Sequence, residues 1–168
     1  VHEVGQSIYT KLAEEVFVAD VEALADEVWQ LAGNFDRSSR EIVGSQLIRA
    51  TDSSGANIAE GYGRFHYGER LMFLSHARGS LFETQYWRNR CCTRQLIPAE
   101  ACSRLAQQLG VLARELNGFV RFVRNRKENK SDGKGTSRIT ESPSAYVAGD
   151  SATGPDFISA AELAYLLE

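Results

Sequence analysis

The chain has 168 residues, of which 43% are hydrophobic, so it is long and apolar enough for one domain with a core. No stretch reaches the roughly 20 apolar residues that a membrane span needs, and no basic-then-apolar leader marks the chain for export. Three cysteines, two of them adjacent, fit reduced thiols better than a disulfide framework. The composition therefore predicts a cytoplasmic protein with no membrane segment.

The net charge of −3 conceals a strongly uneven distribution. Residues 1–36 carry one basic and eight acidic side chains, residues 37–130 carry sixteen and eight, and residues 131–168 carry two and six. A basic middle between acidic ends can indicate an anionic partner such as nucleic acid. It can equally indicate an acidic segment that packs beside basic ones, and the sequence leaves both interpretations open.

The first half of the chain predicts two helices. Apolar residues recur at spacings of three and four over residues 18–35, which places them on one stripe of a helix. Residues 1–15 form either an arm or an extension of this helix. Ser38 and Glu41 have the spacing of a capping box, which predicts a second helix running from there to about residue 62. Its Ser-rich middle contains Gly55, which indicates a kink or a close contact with another helix.

The second half predicts two further helices. Residues 67–95 carry apolar side chains around much of the circumference, which predicts that this helix is covered on a second side, by another subunit. Pro98 suits the start of the fourth helix, whose apolar residues form an uninterrupted a/d seam over three heptads. The predicted fold is all-α, an antiparallel up-down-up-down four-helix bundle that occupies residues 16–127.

The C-terminal part has two predicted segments. Residues 128–156 are rich in Ser, Gly, Thr, Asn, Lys and Asp, which is typical of a disordered linker. Residues 157–168 predict a short amphipathic helix that begins with a second capping box. This helix either docks on a partner protein or packs back onto its own bundle. The apolar residues proposed for partner binding are Phe157, Ile158, Leu163, Leu166 and Leu167.

The sequence shows no constellation typical of catalysis or of metal binding. The three histidines are isolated, and the cysteine spacing matches no zinc site with paired Cys-x-x-Cys ligands. No Ser, His and carboxylate set suggests an activated nucleophile. We therefore expect no catalytic residues, no metal, no cofactor and no enzymatic activity.

Several segments resemble one protein family. Residues 46–50, then Asn57-Ile58-Ala59-Glu60-Gly61-Tyr62-Gly63-Arg64, then residues 73–74, 77–81 and 83–84 occur in order and with matching spacing. They are similar to the four-helix bundle proteins encoded in intervening sequences of bacterial 23S ribosomal RNA, over about residues 24–127. That family is related to the accessory proteins of diversity-generating retroelements, which are homopentamers that associate with a reverse transcriptase and nucleic acid. The resemblance implies a homo-oligomer, a pentamer, without enzymatic activity.

The family motif also has a physical interpretation. If the second and third helices form a hairpin, Ser53 and Ser54 face Gly79 and Ser80 in a close contact between small residues. The same register allows an Arg49–Glu83 ion pair and places Asn57 opposite His76, while Glu60 and Arg64 are spaced for a pair within one helix. A structural or assembly role is favoured over ligand contact for the whole set, which is Arg49, Asn57, Glu60, Gly61, Arg64, Arg78, Gly79, Ser80 and Glu83.

The fourth helix carries the candidate nucleic-acid residues. Arg114, Arg121 and Arg124 lie within about a quarter-turn of one another, and Arg126 and Lys127 extend the charge towards its end. These residues form either a solvated face or a stripe that binds phosphates. The sequence as a whole predicts an oligomeric accessory protein that binds the backbone of RNA or DNA. The alternative is a protein adaptor whose C-terminal helix recruits an effector or enzyme.

Overall fold

A computed structural model describes residues 2–131 and 160–167, and it describes side chains for residues 17–124, 161, 162 and 164–166. Every element within those residues is helical, which confirms the predicted all-α class. The elements in chain order are α1 (His2–Gly33), α2 (Arg37–Ser39), the π-helix π1 (Arg40–Gly44), α3 (Ser45–Gly63), α4 (Tyr67–Thr93), α5 (Ala99–Ser131) and α6 (Ala160–Leu167).

The long helices pack side by side around one apolar core. A Cβ atom built on Gly55 of α3 would lie 3.0 Å from Val21, and one built on Gly44 at the end of π1 would lie 3.5 Å from Ala32, so α1 and the π1–α3 segment run in opposite directions. The connections from α3 to α4 and from α4 to α5 are short, and α5 returns along both α4 and α1. The a/d seam of α5 lies in this core, as the spacing predicts, with these members fully or almost fully buried: Leu105, Leu109, Leu112, Leu116, Phe119 and Val123.

Several helix boundaries differ from those predicted. Residues 2–15 belong to α1, so the N-terminal segment extends the first helix and is not a separate arm. At the start of α2 the backbone N–H of Ser39 donates to Asp36 Oδ1 at 3.0 Å, and hydrogen bonds from the side chain and then the backbone of Ser39 lower the pKa of Asp36. Glu41 instead pairs with Arg37, whose Nε lies 2.9 Å from Glu41 Oε1. The predicted Ser38–Glu41 capping box is therefore wrong, because Asp36 caps the helix two residues earlier.

Gly79 of α4 does not make the close contact with α3 that the sequence predicted. A Cβ atom built on Gly55 would lie 3.0 Å from Val21 Cγ1, so the close contact of this glycine is with α1. A Cβ atom built on Gly79 would meet nothing within 4 Å, and Gly79 is exposed. The predicted close contact of Ser53 and Ser54 with Gly79 is wrong, because Gly79 faces outwards from the α3–α4 pair.

The cysteines also differ from the prediction. Cys92 near the end of α4 is joined to Cys102 in the first turns of α5 by a disulfide bond, so the expectation that all thiols are reduced is wrong. Cys91 is a free, buried thiol whose pKa is raised to about 11 by burial. The two bonded residues are ten positions apart, but the turn between α4 and α5 brings their Cα atoms to 6.0 Å.

The C-terminal end of the bundle also differs from the predicted one. α5 continues to Ser131, past the predicted end of the bundle at residue 127. Residues 132–159, which include most of the predicted linker, lie outside the described residues. Within the described chain, no helix combines the length and the apolar character that crossing a membrane would require.

Candidate nucleic-acid interface and the docked C-terminal helix

The predicted basic stripe lies on the outer face of α5. Arg114, Arg121 and Arg124 are all exposed, and the helical repeat of 100° per residue places them within about 80° of one another. Arg126 and Lys127 also belong to α5, but their side chains lie outside the described ones. The structure therefore brings three of the five predicted residues to one exposed face.

The acidic α1 pairs with α5 through Glu27. Arg104 Nε lies 2.7 Å from Glu27 Oε1, and Gln108 Nε2 donates to Glu27 Oε2 at 3.0 Å. The acidic first segment thus does pack beside a basic one, which was one of the two interpretations of the charge distribution. This pairing involves Arg104, whereas the stripe of Arg114 to Arg124 lies further along α5.

A pair of carboxyl groups lies between α1 and α5 next to that stripe. Burial, followed by repulsion from the neighbouring carboxyl of Asp20 and a hydrogen bond with it, raises the pKa of Glu115 to about 7. The guanidinium of Arg114 acts in the opposite direction. Glu115 therefore changes its charge close to neutral pH.

Part of the family motif stabilises the turn between α3 and α4. Glu60 and Arg64 form the ion pair that their spacing predicts, and the Arg64 guanidinium lies 4.6 Å from the centroid of the Phe73 ring. A Cβ atom on the buried Gly61 would lie 3.4 Å from Phe73 Cβ. Arg70 donates to the carbonyl oxygen of Arg64 at 3.1 Å. These residues therefore hold the hairpin together, in agreement with a structural role.

Other predicted contacts of the motif are absent. Among the ion pairs of the described residues none joins Arg49 to Glu83, and both side chains are exposed. Glu83 Oε1 accepts from Trp87 Nε1 at 3.4 Å, and Asn57 Nδ2 donates to the carbonyl oxygen of Ser53 at 2.8 Å. The predicted Arg49–Glu83 pair is wrong, because each side chain faces solvent on its own helix. Asn57 is satisfied within α3 and does not bond to His76.

The C-terminal helix α6 packs onto the bundle of its own chain. Glu162 pairs with Arg78, the ring of Tyr165 stacks on Phe82 with centroids 6.1 Å apart, and Leu166 is 0% exposed. Leu163 and Leu167 lie in α6 with side chains outside the described ones, and Phe157 and Ile158 lie outside the described residues altogether. A partner protein could reach Leu166 only after α6 leaves the bundle. The surplus apolar surface of α4 is thus covered, at Phe82, by the chain itself.

A buried polar network connects α6 to the corner between α4 and α5. Gln85, which is 0% exposed, donates through Nε2 to the carbonyl oxygen of Tyr165 at 3.0 Å and to Asn89 Oδ1 at 3.3 Å. Arg88 donates from Nη1 to Asn89 Oδ1 at 2.8 Å and from Nε to the carbonyl oxygen of Cys102 at 2.9 Å. Burial lowers the pKa of Arg88, whose charge is satisfied here by carbonyl and amide oxygens.

These buried polar residues were missed in the sequence, although a signal was present. Arg88 continues the buried stripe of α4, which passes through Leu74, Ala77, Leu81 and Thr84 at alternating spacings of three and four. A basic residue at such a position indicates a buried, hydrogen-bonded guanidinium rather than a solvated one. Its partners could not be inferred from α4 alone, because they come from α5.

No cluster of His, Cys, Asp and Glu within the described part of the chain could hold a metal ion. In a comparison with protein families, the family described as 23S rRNA-intervening sequence protein matches residues 16–118. The matched region begins in α1 and ends within α5, so it contains the whole α3–α4 hairpin and Arg114, but not Arg121 or Arg124. The comparison with curated proteins gives no match.

Proposed function

Since the chain belongs to the 23S rRNA-intervening sequence protein family, we propose that it is a non-enzymatic accessory protein that binds the phosphate backbone of RNA or DNA through α5. The observation that carries the proposal is the exposed guanidinium face of Arg114, Arg121 and Arg124. Guanidinium groups are well suited to phosphate because their planar donors match its oxygens.

The surroundings of the stripe indicate how sequence-specific this binding is. The exposed position between the arginines is Gly118, and Val111 is exposed one turn before Arg114; neither side chain offers a hydrogen bond to a base edge. Contacts to phosphate fix the position of a nucleic acid but carry no sequence information. The proposed activity is therefore backbone-directed, and it depends strongly on salt because phosphate contacts release counterions.

Assembly into a homo-oligomer, a pentamer, would repeat the stripe around a ring. α4 supports this part of the proposal, because Met72 and Tyr86 remain 49% and 50% exposed next to the surface that α6 covers. Apolar side chains left open on a bundle helix are typical of an interface between subunits. Light scattering at micromolar concentration tests it: a mass near 18.6 kDa, that of one chain, would contradict the assembly.

The binding proposal is tested by reversing charges. Arg121→Glu with Arg124→Glu should weaken binding to any duplex sequence and reduce the slope of log affinity against log salt by about 2, since each phosphate contact contributes about 0.9. The control is Arg37→Glu with Arg40→Glu, which makes the same charge change at exposed positions of α2 and π1. Melting curves of both variants establish that the fold is intact.

Two results would contradict the proposal. One is a wild-type protein that retains neither RNA nor DNA at low salt. The other is a control variant that weakens binding as much as the α5 variant does, because the effect would then follow net charge and not the α5 face.

A further inference from the structure

We propose that the surface formed by Arg78, Phe82 and Gln85 on α4 is a binding site for an unpaired nucleotide, and that α6 occupies it as an intramolecular competitor. This inference rests on the proposed nucleic-acid binding and adds to it a second contact, distinct from α5. It also gives the C-terminal helix a role within its own chain.

The three residues form one continuous stripe. Their spacing of four and then three residues places them on the same face of α4, over about 10 Å of helix axis. The guanidinium of Arg78 lies over the Phe82 ring, 5.1 Å from its centroid. Gln85 lies one turn further along, fully buried beneath α6.

Each member of the stripe offers what one part of a nucleotide requires. A guanidinium binds phosphate, an aromatic face stacks with a base of any kind, and a carboxamide donates to and accepts from the edge of a base. Gln85 Oε1 is buried and accepts no hydrogen bond from the described residues. That oxygen is therefore available as an acceptor for a ligand with an N–H group.

The contacts that α6 makes match these parts one by one. The carboxylate of Glu162 takes the place of the phosphate at Arg78. The ring of Tyr165 takes the place of the base, since it lies parallel to Phe82 within 6° and not edge-on. The carbonyl oxygen of Tyr165 accepts from Gln85 Nε2 at 3.0 Å, as a base carbonyl would. An anionic group and a flat ring on one helical turn thus fill the site from within the chain.

The covalent arrangement allows α6 to leave. Residues 132–159 connect it to the end of α5, and 28 residues can span at most about 90–100 Å. α6 packs against α5 and contacts α4 as a single eight-residue helix, so its departure breaks no hydrogen bond within α1 to α5. A strand that gains more from Arg78 and Phe82 than α6 does can therefore displace it.

The experiment compares full-length chains that differ only in α6. Glu162→Gln with Leu166→Asp removes the ion pair and the buried anchor, and leaves the net charge unchanged. Ala161→Lys with Ala164→Asp is the control, because these exposed positions of the same helix keep both contacts and the same net charge. The probes are a fluorescein-labelled 12-nucleotide RNA without self-complementarity and the same RNA annealed to its complement.

We call the Glu162→Gln, Leu166→Asp chain the opened variant, and we expect it to bind the single strand about tenfold more tightly than wild type does. This factor is of the size that stacking of one base on an aromatic ring contributes to affinity. Duplex affinity should stay the same, because paired bases cannot stack on Phe82, and the control should behave as wild type. Adding Phe82→Ala to the opened variant should remove the gain. In wild type, a saturating single strand should accelerate hydrogen exchange of the α6 amides, which the duplex should not do.

Three outcomes would overturn the inference. The first is no gain in affinity of the opened variant for the single strand, and the second is a gain in affinity that persists when Phe82→Ala is added. The third is an opened variant that self-associates without binding more RNA, because the site would then belong to a helix of a second copy. If the duplex still binds with its steep salt dependence in these cases, the α5 proposal stands and only the α4 site fails. If the opened variant gains affinity for the single strand while no chain retains the duplex, the α5 proposal fails instead.

Discussion

The carboxyl pair of Glu115 and Asp20 makes the stability of the bundle depend on pH near neutrality. Burial and the nearby Asp20 carboxyl raise the pKa of Glu115 from an ordinary 4.5 to about 7. Between these two values the folded chain binds a proton that the unfolded chain has already lost. This contribution to the free energy of unfolding therefore falls as the pH rises from about 4.5 to about 7, and it is constant above that.

Replacing Glu115 with Gln removes this dependence, because Gln keeps the shape of the protonated acid and cannot ionise. A pKa of about 7 against 4.5 corresponds to at most about 3 kcal/mol at high pH. Glu115 is only partly buried, so screening by solvent lowers the expected effect to about 1–2 kcal/mol. The variant should be more stable than wild type by that amount at pH 8 and equal to it at pH 4.5.

Urea denaturation at both pH values measures the difference, with the exposed Glu22→Gln on α1 as the control for losing one carboxylate. The reasoning is refuted if Glu115→Gln gives the same change at pH 4.5 and pH 8. It is also refuted if Glu22→Gln stabilises the protein equally, because the effect would then come from net charge.

Three further predictions concern packing and covalent links. Gly79→Ala should raise the free energy of unfolding by about 0.5–1 kcal/mol, because Gly79 is an exposed helical position. Gly55→Ala should not raise it, because the new Cβ atom would press on α1. Equal increases in Tm for the two variants would contradict this prediction. Leu166→Ala should lower Tm by about 3–8 °C, whereas the exposed Ala164→Ser should change it by less than about 2 °C; an unchanged Tm for Leu166→Ala would mean that α6 adds nothing to the fold. A reductant should lower Tm in wild type but not in Cys92→Ser, and insensitivity of the wild type would argue against the disulfide.

The sequence alone determined features that depend on contacts within one helix. The buried seam of α5 follows from spacings of three and four, and the Glu60–Arg64 pair follows from an i, i+4 spacing on α3. Such features depend only on the fixed geometry of the helix, which is the same in every protein. The exposure of Arg114, Arg121 and Arg124 was predictable for the same reason.

The tertiary structure decided everything that depends on how the helices are positioned against each other. It placed Gly55 against α1, joined Cys92 to Cys102 across a turn, and set Glu115 beside Asp20, although none of these pairs has a local signal. It also buried Leu166 against the bundle of its own chain, whereas the sequence left open whether the C-terminal helix packs on a partner protein or on its own chain. The physical reason is that the register between helices is set by the packing of the whole core, and no single segment contains that information.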